Sequence, residues 1–365
     1  MSAPVPFLDL KAAYAELKDP LDAAALKSLN SGWYIGGDEV TSFEAAFAAY
    51  TGADHCVGVA NGLDAITLAL RALGIGPGDE VLVPSNTYIA TWLAVVQTGA
   101  LPVPVEPDPA THNITAEALE SVITPRTRAV IAVHLYGCPA PIDEIVTFSH
   151  AKNLLVIEDA AQAHGARWKG QRIGSHGDVI TWSFYPGKNL GAMGDGGAVT
   201  TNDAGLAETI RMLGNYGSKQ RYVHELQGTN SRLDPVQAAM LEVKLAHLDA
   251  WNDRRRAIAA RYQAAFRDTA LILPAPPQAA DPVWHLYVVR TPHRAALQAH
   301  LAARGVQTLI HYPCPPHKQG AFQDMGLDLP LAERLANEVL SLPIGPHLSL
   351  NQVETVTEAV LSFAA

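Results

Sequence analysis

A single lysine occupies an unusual setting at residues 183–199, which read SFYPGKNLGAMGDGGAV. Lys188 is the only cation of this segment, and five glycines surround it. A lysine withdrawn from water has a lowered pKa and becomes a nucleophilic amine, which can form a Schiff base with a carbonyl compound. The segment therefore predicts a carbonyl-binding site. An exposed loop with a solvated lysine is the alternative that this segment alone leaves open.

The same segment does not fit the Walker A phosphate-binding pattern. That pattern requires a glycine five residues before Gly187 and a Ser or Thr directly after the lysine. Trp182 and Asn189 occupy those two positions. A P-loop is therefore excluded.

Two acids end an apolar run in LLVIEDAAQAHGA, residues 154–166. Open α/β sheets bind their ligands at the carboxyl ends of the strands, so Glu158 and Asp159 are well sited for chemistry. An Asp beside a pyridine nitrogen keeps that nitrogen protonated, which is the electron sink that pyridoxal phosphate (PLP) requires. A helix N-cap is the structural alternative for Asp159.

A third motif, GVANGLDAITLAL at residues 58–70, predicts a strand, a turn and an amphipathic helix. The unpaired N–H groups of the first helical turn can bind a phosphate without any lysine. Tyr88 follows another predicted strand and could stack on a planar ligand, although a lone aromatic side chain is more often part of a core.

The elements that would position these residues alternate between β-branched runs and helical patterns, which indicates an α/β fold with a parallel or mixed sheet covered on both faces. A long helix is predicted over residues 233–267, and after the Pro-rich segment 271–282 the pattern changes to strand, helix, strand, helix. We expect a large domain over residues 1–250 and a smaller α+β domain over 251–365. The predicted strands are 81–84, 102–106, 129–136, 154–159, 179–184 and 197–201, and the predicted helices are 61–73, 87–99 and 141–153.

Composition narrows the function classes. The chain has 365 residues, 48% of them hydrophobic, and a formal net charge of −10. This charge disfavours nucleic acid and anionic membranes as partners, and no apolar run is long enough to span a membrane. The N-terminus shows no signal-peptide pattern, so we expect a cytoplasmic protein. The three cysteines are far apart, which predicts reduced packing residues.

Taken together, NGLDA, Tyr88, EDAAQAHGA, SFYPGKNLGAMGDGGA and GTNSRLDPVQAAML resemble, in this order, the sugar aminotransferases of the DegT/DnrJ/EryC1/StrS family. The resemblance covers nearly the whole chain. It implies the aspartate-aminotransferase fold, known as PLP fold type I, and a homodimer whose two active sites lie at the interface.

The resemblance also implies a role for each matching residue. Lys188 would be the Schiff-base lysine and Asp159 the partner of the pyridinium nitrogen. Gln162 would lie near the phenolic oxygen of PLP, and Tyr88 over its ring. The phosphate would be held by Gly62, Leu63 and Ser183 of one subunit and by Asn230 of the other.

Two half-reactions would share this site. Glutamate, the donor implied by the family, would leave its amino group on the cofactor, and a keto-sugar would then receive it, with Lys188 moving the proton in both directions. Because the lysine loop, TYIATWLA and HLYG resemble those of enzymes that aminate C3 of dTDP-linked 3-keto-6-deoxyhexoses, that reaction is the expected one.

Candidate substrate contacts lie in two segments. Cations for the diphosphate could come from residues 218–232, and HYPCPPH at 311–317 is a Pro-stiffened loop that we expect to face substrate. We expect no metal at its two histidines, because no acid or cysteine stands at the usual ligand spacing. The candidates are Lys219, Arg221, Tyr222, His224, Arg232, His311, Tyr312 and His317.

Alternative functions remain open at this level. The near alternatives are a 4-aminotransferase of a 4-keto sugar and a 3-aminotransferase of a UDP-2-acetamido-3-keto sugar. The far alternative is a regulator with the PLP fold and no catalysis, against which the retention of Lys188, Asp159 and Asn230 counts.

Overall fold

The strands follow the alternation expected from the sequence. Residues 4–363, which the computed structural model describes, contain fourteen of them: β1 (His55–Val59), β2 (Glu80–Pro84), β3 (Leu101–Val105), β4 (Thr127–Val133), β5 (Leu155–Asp159), β6 (Arg167–Trp168), β7 (Gln171–Arg172), β8 (Val179–Ser183), β9 (Gly197–Thr201), β10 (Ser218–Gln220), β11 (Val223–His224), β12 (Ala280–Asp281), β13 (Tyr287–Arg290) and β14 (Val339–Leu342).

Seven of these strands form the central sheet, in the order β1-β9-β8-β5-β4-β2-β3. The pairs from β8 to β3 are parallel, whereas β9 runs antiparallel to both β8 and β1. Pro102 and Pro104 lie in β3, an edge strand, where a missing N–H does not interrupt the sheet. The predicted mixed, mostly parallel sheet is therefore confirmed.

Helices cover the two faces of the sheet and build the C-terminal part. In the same residues they are α1 (Leu10–Glu16), α2 (Lys18–Ser31), α3 (Asp38–Thr51), α4 (Gly62–Ala72), α5 (Ile89–Gln97), α6 (Ala116–Glu120), α7 (Ile142–Ala151), α8 (Ala204–Gly214), α9 (Pro235–Leu245), α10 (Leu248–Phe266), α11 (Arg294–Ala303), α12 (Pro330–Glu338) and α13 (Leu350–Leu361). None of them is long and apolar enough to cross a membrane.

Each face of the central sheet has its own apolar core, because alternate residues of the buried strands point to opposite sides. On β4, Val130 packs in one cluster with Phe47 and Trp182, whereas Ile131 packs in the other with Leu68 and Trp92. Both sides of the strands that end at the candidate site are thus dry and closely packed.

The prediction of one helix over 233–267 was wrong. α9 ends at Leu245 and α10 begins at Leu248, with His247 at the break. The two halves pack on different partners: α9 lies against α2 and α3, whereas α10 lies against α13. The two packing directions are a tertiary constraint that helical periodicity alone does not reveal.

The strand predicted over 129–136 is shorter than expected. β4 ends at Val133, and residues 135–137 form a turn of 3-10 helix in which Tyr136 has a φ of 61°. The turn brings Tyr136 to the candidate site. The other predicted strands and helices agree with the structure within a few residues.

The C-terminal segment pairs β13 with β14 in an antiparallel ribbon, and its core joins Tyr287 and Leu342 to Ile258 of α10. Val5 near the N-terminus belongs to the same core and pairs with Val306. The predicted domain boundary between residues 250 and 251 falls within α10 and stays a prediction.

A buried cation ties α10 to this segment. The guanidinium of Arg255 donates to the carbonyl oxygens of Trp284 (3.2 Å), His285 (3.3 Å) and Ile344 (3.1 Å). Burial lowers the pKa of Arg255 to about 10. A buried carbonyl without a donor costs free energy, so Arg255 stabilises three chain segments at once.

We expect Arg255→Met to lower the free energy of unfolding by about 3 kcal/mol, because one buried and two partly buried carbonyl oxygens lose their donor. Arg261→Met on the exposed side of the same helix is the control, and it should change the free energy by less than about 0.5 kcal/mol. Urea unfolding of both variants measures the difference. Equal stability of the two variants would contradict the role given to Arg255.

Candidate active site

Lys188 lies in the connection between β8 and β9, at the edge of the sheet where the parallel strands end. Its backbone N–H donates to the carbonyl of Tyr185 (2.8 Å), and Phe184 and Ala192 close the loop with a bond of 2.7 Å. A Cβ on Gly191 would lie 2.4 Å from the carbonyl oxygen of Pro186, so the loop can fold this tightly only with glycine there. The side chain of Lys244 in α9 donates to the Gly191 carbonyl (2.6 Å) and anchors the loop to that helix.

The amine of Lys188 has no hydrogen-bond or ion-pair partner among residues 4–363. Burial lowers the pKa of Lys188 to about 8, and the negative charge of Asp159 opposes that shift. A substantial fraction of the amine is therefore neutral near physiological pH and can act as a nucleophile or a base. This is the property that the sequence predicted for the segment.

Asp159 is the last residue of β5 and is buried. Its carboxylate accepts hydrogen bonds from the Thr91 hydroxyl (3.0 Å) and from the backbone N–H of Ala161 (3.2 Å). Burial raises the pKa of Asp159, whereas the Ala161 N–H, Lys188 and Thr91 act in the opposite direction. The Ala161 bond resembles a cap, but the carboxylate also lies near Lys188 at the ligand-binding edge of the sheet.

The turn between β1 and α4 forms a cradle for an anion. Asn61 caps α4 by accepting from the N–H of Asp64 (2.9 Å), and the N–H of Ala60 donates to the Ser231 hydroxyl (3.1 Å). A Cβ on Gly62 would lie 2.6 Å from the Cβ of Ser183, at the end of β8. Gly62 and Ser183 are thus in direct contact at the positive end of α4, with half-buried Leu63 next to them.

Gln162 and three tyrosines lie beside these residues. The amide of Gln162 accepts from the N–H of Tyr136 (2.6 Å) and donates to the hydroxyl of Tyr312 (3.1 Å). The rings of Tyr88 and Tyr312 are 5.2 Å apart, and Tyr88 remains 53% exposed. Tyr88 therefore keeps a ring surface available to a planar ligand, and Tyr312, a predicted substrate contact, is tied to Gln162.

Three histidines near Lys188 are neutral. Burial together with the charge of Lys188 lowers the pKa of His164 to about 3 and of His311 to about 4. The same two causes hold the pKa of His285 far below its usual range. These three imidazole rings therefore add no positive charge next to the Lys188 amine.

Asn189 links the lysine loop to distant segments. Its amide N–H groups donate to Asn252 (2.9 Å) and to the carbonyl of Val283 (3.0 Å), and its oxygen lies 3.2 Å from Nδ1 of His285. Sequence reasoning missed Asn189, His285 and Thr91. Their partners are remote in sequence, so no local pattern identifies them.

Four predicted substrate residues of the 218–232 segment are exposed to solvent. β10 and β11 form an exposed ribbon that carries Lys219, Arg221, Tyr222 and His224. Lys219 pairs with Glu208 (2.9 Å), and His224 contacts the carbonyl of Tyr216 (3.0 Å). No hydrogen bond or ion pair in residues 4–363 connects this ribbon to Lys188.

Two further candidates adjoin the ribbon. Arg232 donates to the side chain of Asn215 (3.0 Å), and Asn230, which pairs with Asn215 through the backbone, is exposed. Their roles toward phosphate stay predictions.

The histidines of the 311–317 loop differ in placement. His311 lies 2.8 Å from the Ser341 hydroxyl, and its carbonyl accepts from the Tyr136 hydroxyl. His317 is buried and lies 3.1 Å from Glu333. The structure thus brings His311 and Tyr312 to the site, whereas His317 contacts Glu333 of α12 and holds the loop against that helix.

A family model describes almost the whole chain: residues 16–361 match the DegT/DnrJ/EryC1/StrS aminotransferase family. The chain belongs to this family. It is 56% identical to a dTDP-3-amino-3,4,6-trideoxy-alpha-D-glucose transaminase of Streptomyces venezuelae, over 99% of this chain and 96% of that protein. It is 52% identical to a dTDP-3-amino-3,6-dideoxy-alpha-D-galactopyranose transaminase of Aneurinibacillus thermoaerophilus, over 98% of each.

Solved structures agree with this assignment. The S. venezuelae protein DesV, crystallised with a ketimine intermediate, is 55% identical and superposes with a TM-score of 0.97 over 98% of both chains. NtdA of Bacillus subtilis, solved with bound PMP, is 30% identical and has a TM-score of 0.91 over 99% of this chain and 85% of that one. The fold expected from the sequence is confirmed, and the chain is a sugar aminotransferase.

We expect the Lys188 amine of the cofactor-free protein to titrate with a midpoint near pH 8, because burial disfavours its charged form. Asp159→Asn should move the midpoint lower, since the carboxylate charge favours the ammonium form. The pH dependence of labelling by a small acylating reagent, read by peptide mass spectrometry, measures both midpoints, with Lys11 as the exposed internal control. A midpoint that rises in Asp159→Asn would contradict this account.

Proposed function

We propose that the protein transfers the amino group of glutamate to C3 of a dTDP-linked 3-keto-6-deoxyhexose, with PLP as its cofactor. The observation that supports the chemistry is the presence of Lys188 and Asp159 at one edge of the sheet, close enough to influence each other's pKa but not joined in an ion pair. The substrate is supported by the two dTDP-3-amino-sugar transaminases at 56% and 52% identity.

The residues of the site fit PLP. The contact of Gly62 with Ser183 leaves no room for a side chain at position 62. Since the N–H of Asp64 is taken by the Asn61 cap, the first turn of α4 offers the N–H groups of Gly62 and Leu63 to a phosphate. Asp159 offers a buried carboxylate for a pyridine nitrogen, and Tyr88 offers a ring surface. Lys188 offers an unpaired amine of lowered pKa for a carbonyl carbon.

When bound, PLP supplies a carbonyl carbon that captures amines and a protonated ring that stabilises negative charge on the carbon that loses a proton. Asp159 would keep the ring nitrogen protonated, and Gln162 would bind at the phenolic oxygen. Gly62, Leu63 and Ser183 would hold the phosphate, and Tyr88 would cover the ring.

Lys188 performs the proton transfers. Nζ would take the proton from the α-carbon of glutamate and pass it to the C4′ carbon of the cofactor, and in the second half-reaction it would move a proton from C4′ to C3 of the sugar. One base would thus serve both half-reactions. A pKa of about 8 suits both tasks, because the amine can hold or release a proton near neutral pH. The neutral histidines around it do not compete as cations for the carboxylate of Asp159.

Regiochemistry depends on how the pocket orients the sugar, since Lys188 and the sheet fix where the reacting carbon must lie. The side chains available for this are those of the 311–312 segment, where Tyr312 is fixed by Gln162 and His311 by Ser341. The diphosphate would meet the ribbon cations Lys219 and Arg221.

We further propose that the protein is a homodimer in which Asn230 reaches the cofactor phosphate of the partner subunit. In one subunit Asn230 is exposed and lies next to a ribbon whose aromatic side chains face solvent, with Tyr222 80% exposed. Trp33 and Tyr34, after α2, are 63% and 59% exposed. Exposed aromatic side chains are enriched at protein interfaces, which supports burial of these residues in a dimer.

The substrate proposal is tested with glutamate and four acceptors: dTDP-3-keto-6-deoxyglucose, its galactose epimer, dTDP-4-keto-6-deoxyglucose and a UDP-2-acetamido-3-keto sugar. We expect turnover of a 3-keto dTDP sugar and a new C–N bond at C3 by NMR. Lys188→Ala should lower turnover by about a thousandfold or more, because the amine is both nucleophile and base. Amination of the 4-keto sugar alone would overturn the C3 assignment but not the aminotransferase chemistry.

The shared site is tested by mixing Lys188→Ala with Asn230→Ala under conditions of subunit exchange. If Asn230 acts across the interface, each heterodimer has one site with both lesions and one intact site, so an equal mixture should recover about a quarter of the wild-type activity. Lys188→Ala mixed with Asp159→Asn is the control, because both lesions lie in their own subunit's site and no activity should return. Absence of recovery in the first mixture would refute the trans role of Asn230.

A further inference from the structure

Two buried threonine hydroxyls stand behind Asp159. Thr87 and Thr91 are 2% and 1% exposed, and their Oγ1 atoms lie 3.0 Å apart. Thr91 Oγ1 in turn lies 3.0 Å from Oδ2 of Asp159, while the N–H of Ala161 donates to Oδ1 of the same carboxylate. Each oxygen of the carboxylate thus has one donor from the protein and retains acceptor capacity.

The direction of this chain of hydroxyls follows from the carboxylate. An ionised carboxylate only accepts hydrogen bonds, so Thr91 must donate its single hydroxyl hydrogen to Asp159. Thr91 Oγ1 can then only accept from Thr87. Within residues 4–363 Thr87 Oγ1 has no other hydrogen-bond partner. The chain therefore runs from Thr87 to Thr91 to Asp159.

The hydroxyl of Thr91 does not follow the usual behaviour of a helical threonine. Such side chains commonly bond to the carbonyl four residues earlier, as Thr67 does to Leu63 and Thr209 to Gly205. Thr91 makes no bond of this kind in the described chain, and its hydroxyl is directed to Asp159 instead. In the first turn of α5, the Thr91 hydroxyl therefore bonds to the Asp159 carboxylate and not to a backbone carbonyl.

Few other groups near Asp159 stabilise its ionised carboxylate. The titratable groups coupled to it are Lys188, His134 and Tyr312. His134 Nδ1 accepts from the N–H of Ala140, and its Nε2 lies 2.9 Å from the carboxylate of Glu158, so both ring nitrogens bond to groups other than Asp159. Burial raises the pKa of Tyr312, which is neutral. When the Lys188 amine is neutral, Thr91 and Ala161 remain as the hydrogen-bond donors to the Asp159 carboxylate.

We propose that Thr91, oriented by Thr87, is a positioning residue that keeps the Asp159 carboxylate ionised and fixes its orientation toward the cofactor's ring nitrogen. This inference rests on the proposed role of Asp159 in the aminotransferase. The proposal gives the segment TYIAT, residues 87–91, a second role besides the ring of Tyr88.

The test uses Thr91→Val, which keeps the shape and removes the hydroxyl, and Thr91→Ser, which keeps the hydroxyl. Thr87→Val removes the donor that orients Thr91, and Thr209→Val is the control for loss of a helical threonine hydroxyl elsewhere. The readouts are the affinity of the cofactor-free protein for PLP by absorbance titration, the pH at which Asp159 loses its proton by infrared difference spectroscopy referenced to Asp159→Asn, and the melting temperature.

We expect Thr91→Val to weaken PLP binding about 10-fold and to raise the pH at which Asp159 ionises, because a charge-assisted hydrogen bond is lost. Thr91→Ser should stay within about threefold of the wild type, and Thr87→Val should show a smaller shift in the same direction as Thr91→Val. Thr209→Val should leave both the affinity and the ionisation of Asp159 unchanged.

Three results would overturn the inference. One is wild-type PLP affinity and wild-type ionisation of Asp159 in Thr91→Val. Another is equal impairment of Thr91→Ser and Thr91→Val, which would assign Thr91 to packing. If Thr91→Val does not fold, unchanged ionisation of Asp159 in Thr87→Val serves instead. Wild-type PLP binding and turnover in Asp159→Asn would be a different failure, since it would remove the proposed role of Asp159 itself.

Discussion

The site depends on two opposite charges, on Lys188 and Asp159, that influence each other without forming an ion pair. A direct pair would stabilise both charged forms and leave the amine protonated and the carboxylate occupied. At the distance that the structure sets, Asp159 only moderates the effect of burial, and the pKa of Lys188 stays near 8. The amine remains reactive, and the carboxylate retains acceptor capacity for a ligand.

The surrounding structure maintains this separation from several sides. The Lys188 loop is anchored by Lys244 at the Gly191 carbonyl and by Asn189, whose amide contacts Asn252 of α10. The Asp159 carboxylate is fixed by Thr91 and Ala161. Most of these anchors are hydrogen bonds between buried groups, which are costly to break, so a movement of either charge toward the other would cost free energy.

The C-terminal segment completes the site rather than merely covering it. Tyr312 bonds to Gln162, and His285 contacts Asn189 beside the lysine. Arg255 of α10 donates to the carbonyls of Trp284 and His285, which fixes the segment that leads into β13. The chemistry of the sheet edge and the shape of the pocket are thus contributed by different parts of the chain, and substrate choice can change through the loops while Lys188 and Asp159 stay in place.

The sequence by itself determined most of the helices and strands and the candidate site residues, because their signals are local. Runs of β-branched residues predicted the central strands, glycine-rich turns marked the loops, and the motifs around Lys188, Asp159 and Gly62 carried the family resemblance. The sequence did not determine the break between α9 and α10, the end of β4 at Val133, or the pairings of Asn189, His285 and Thr91 with residues far along the chain. These were decided by tertiary packing, because a helix breaks where its two halves meet different partners, and a polar side chain buried in the fold bonds to whichever donor or acceptor the fold brings near.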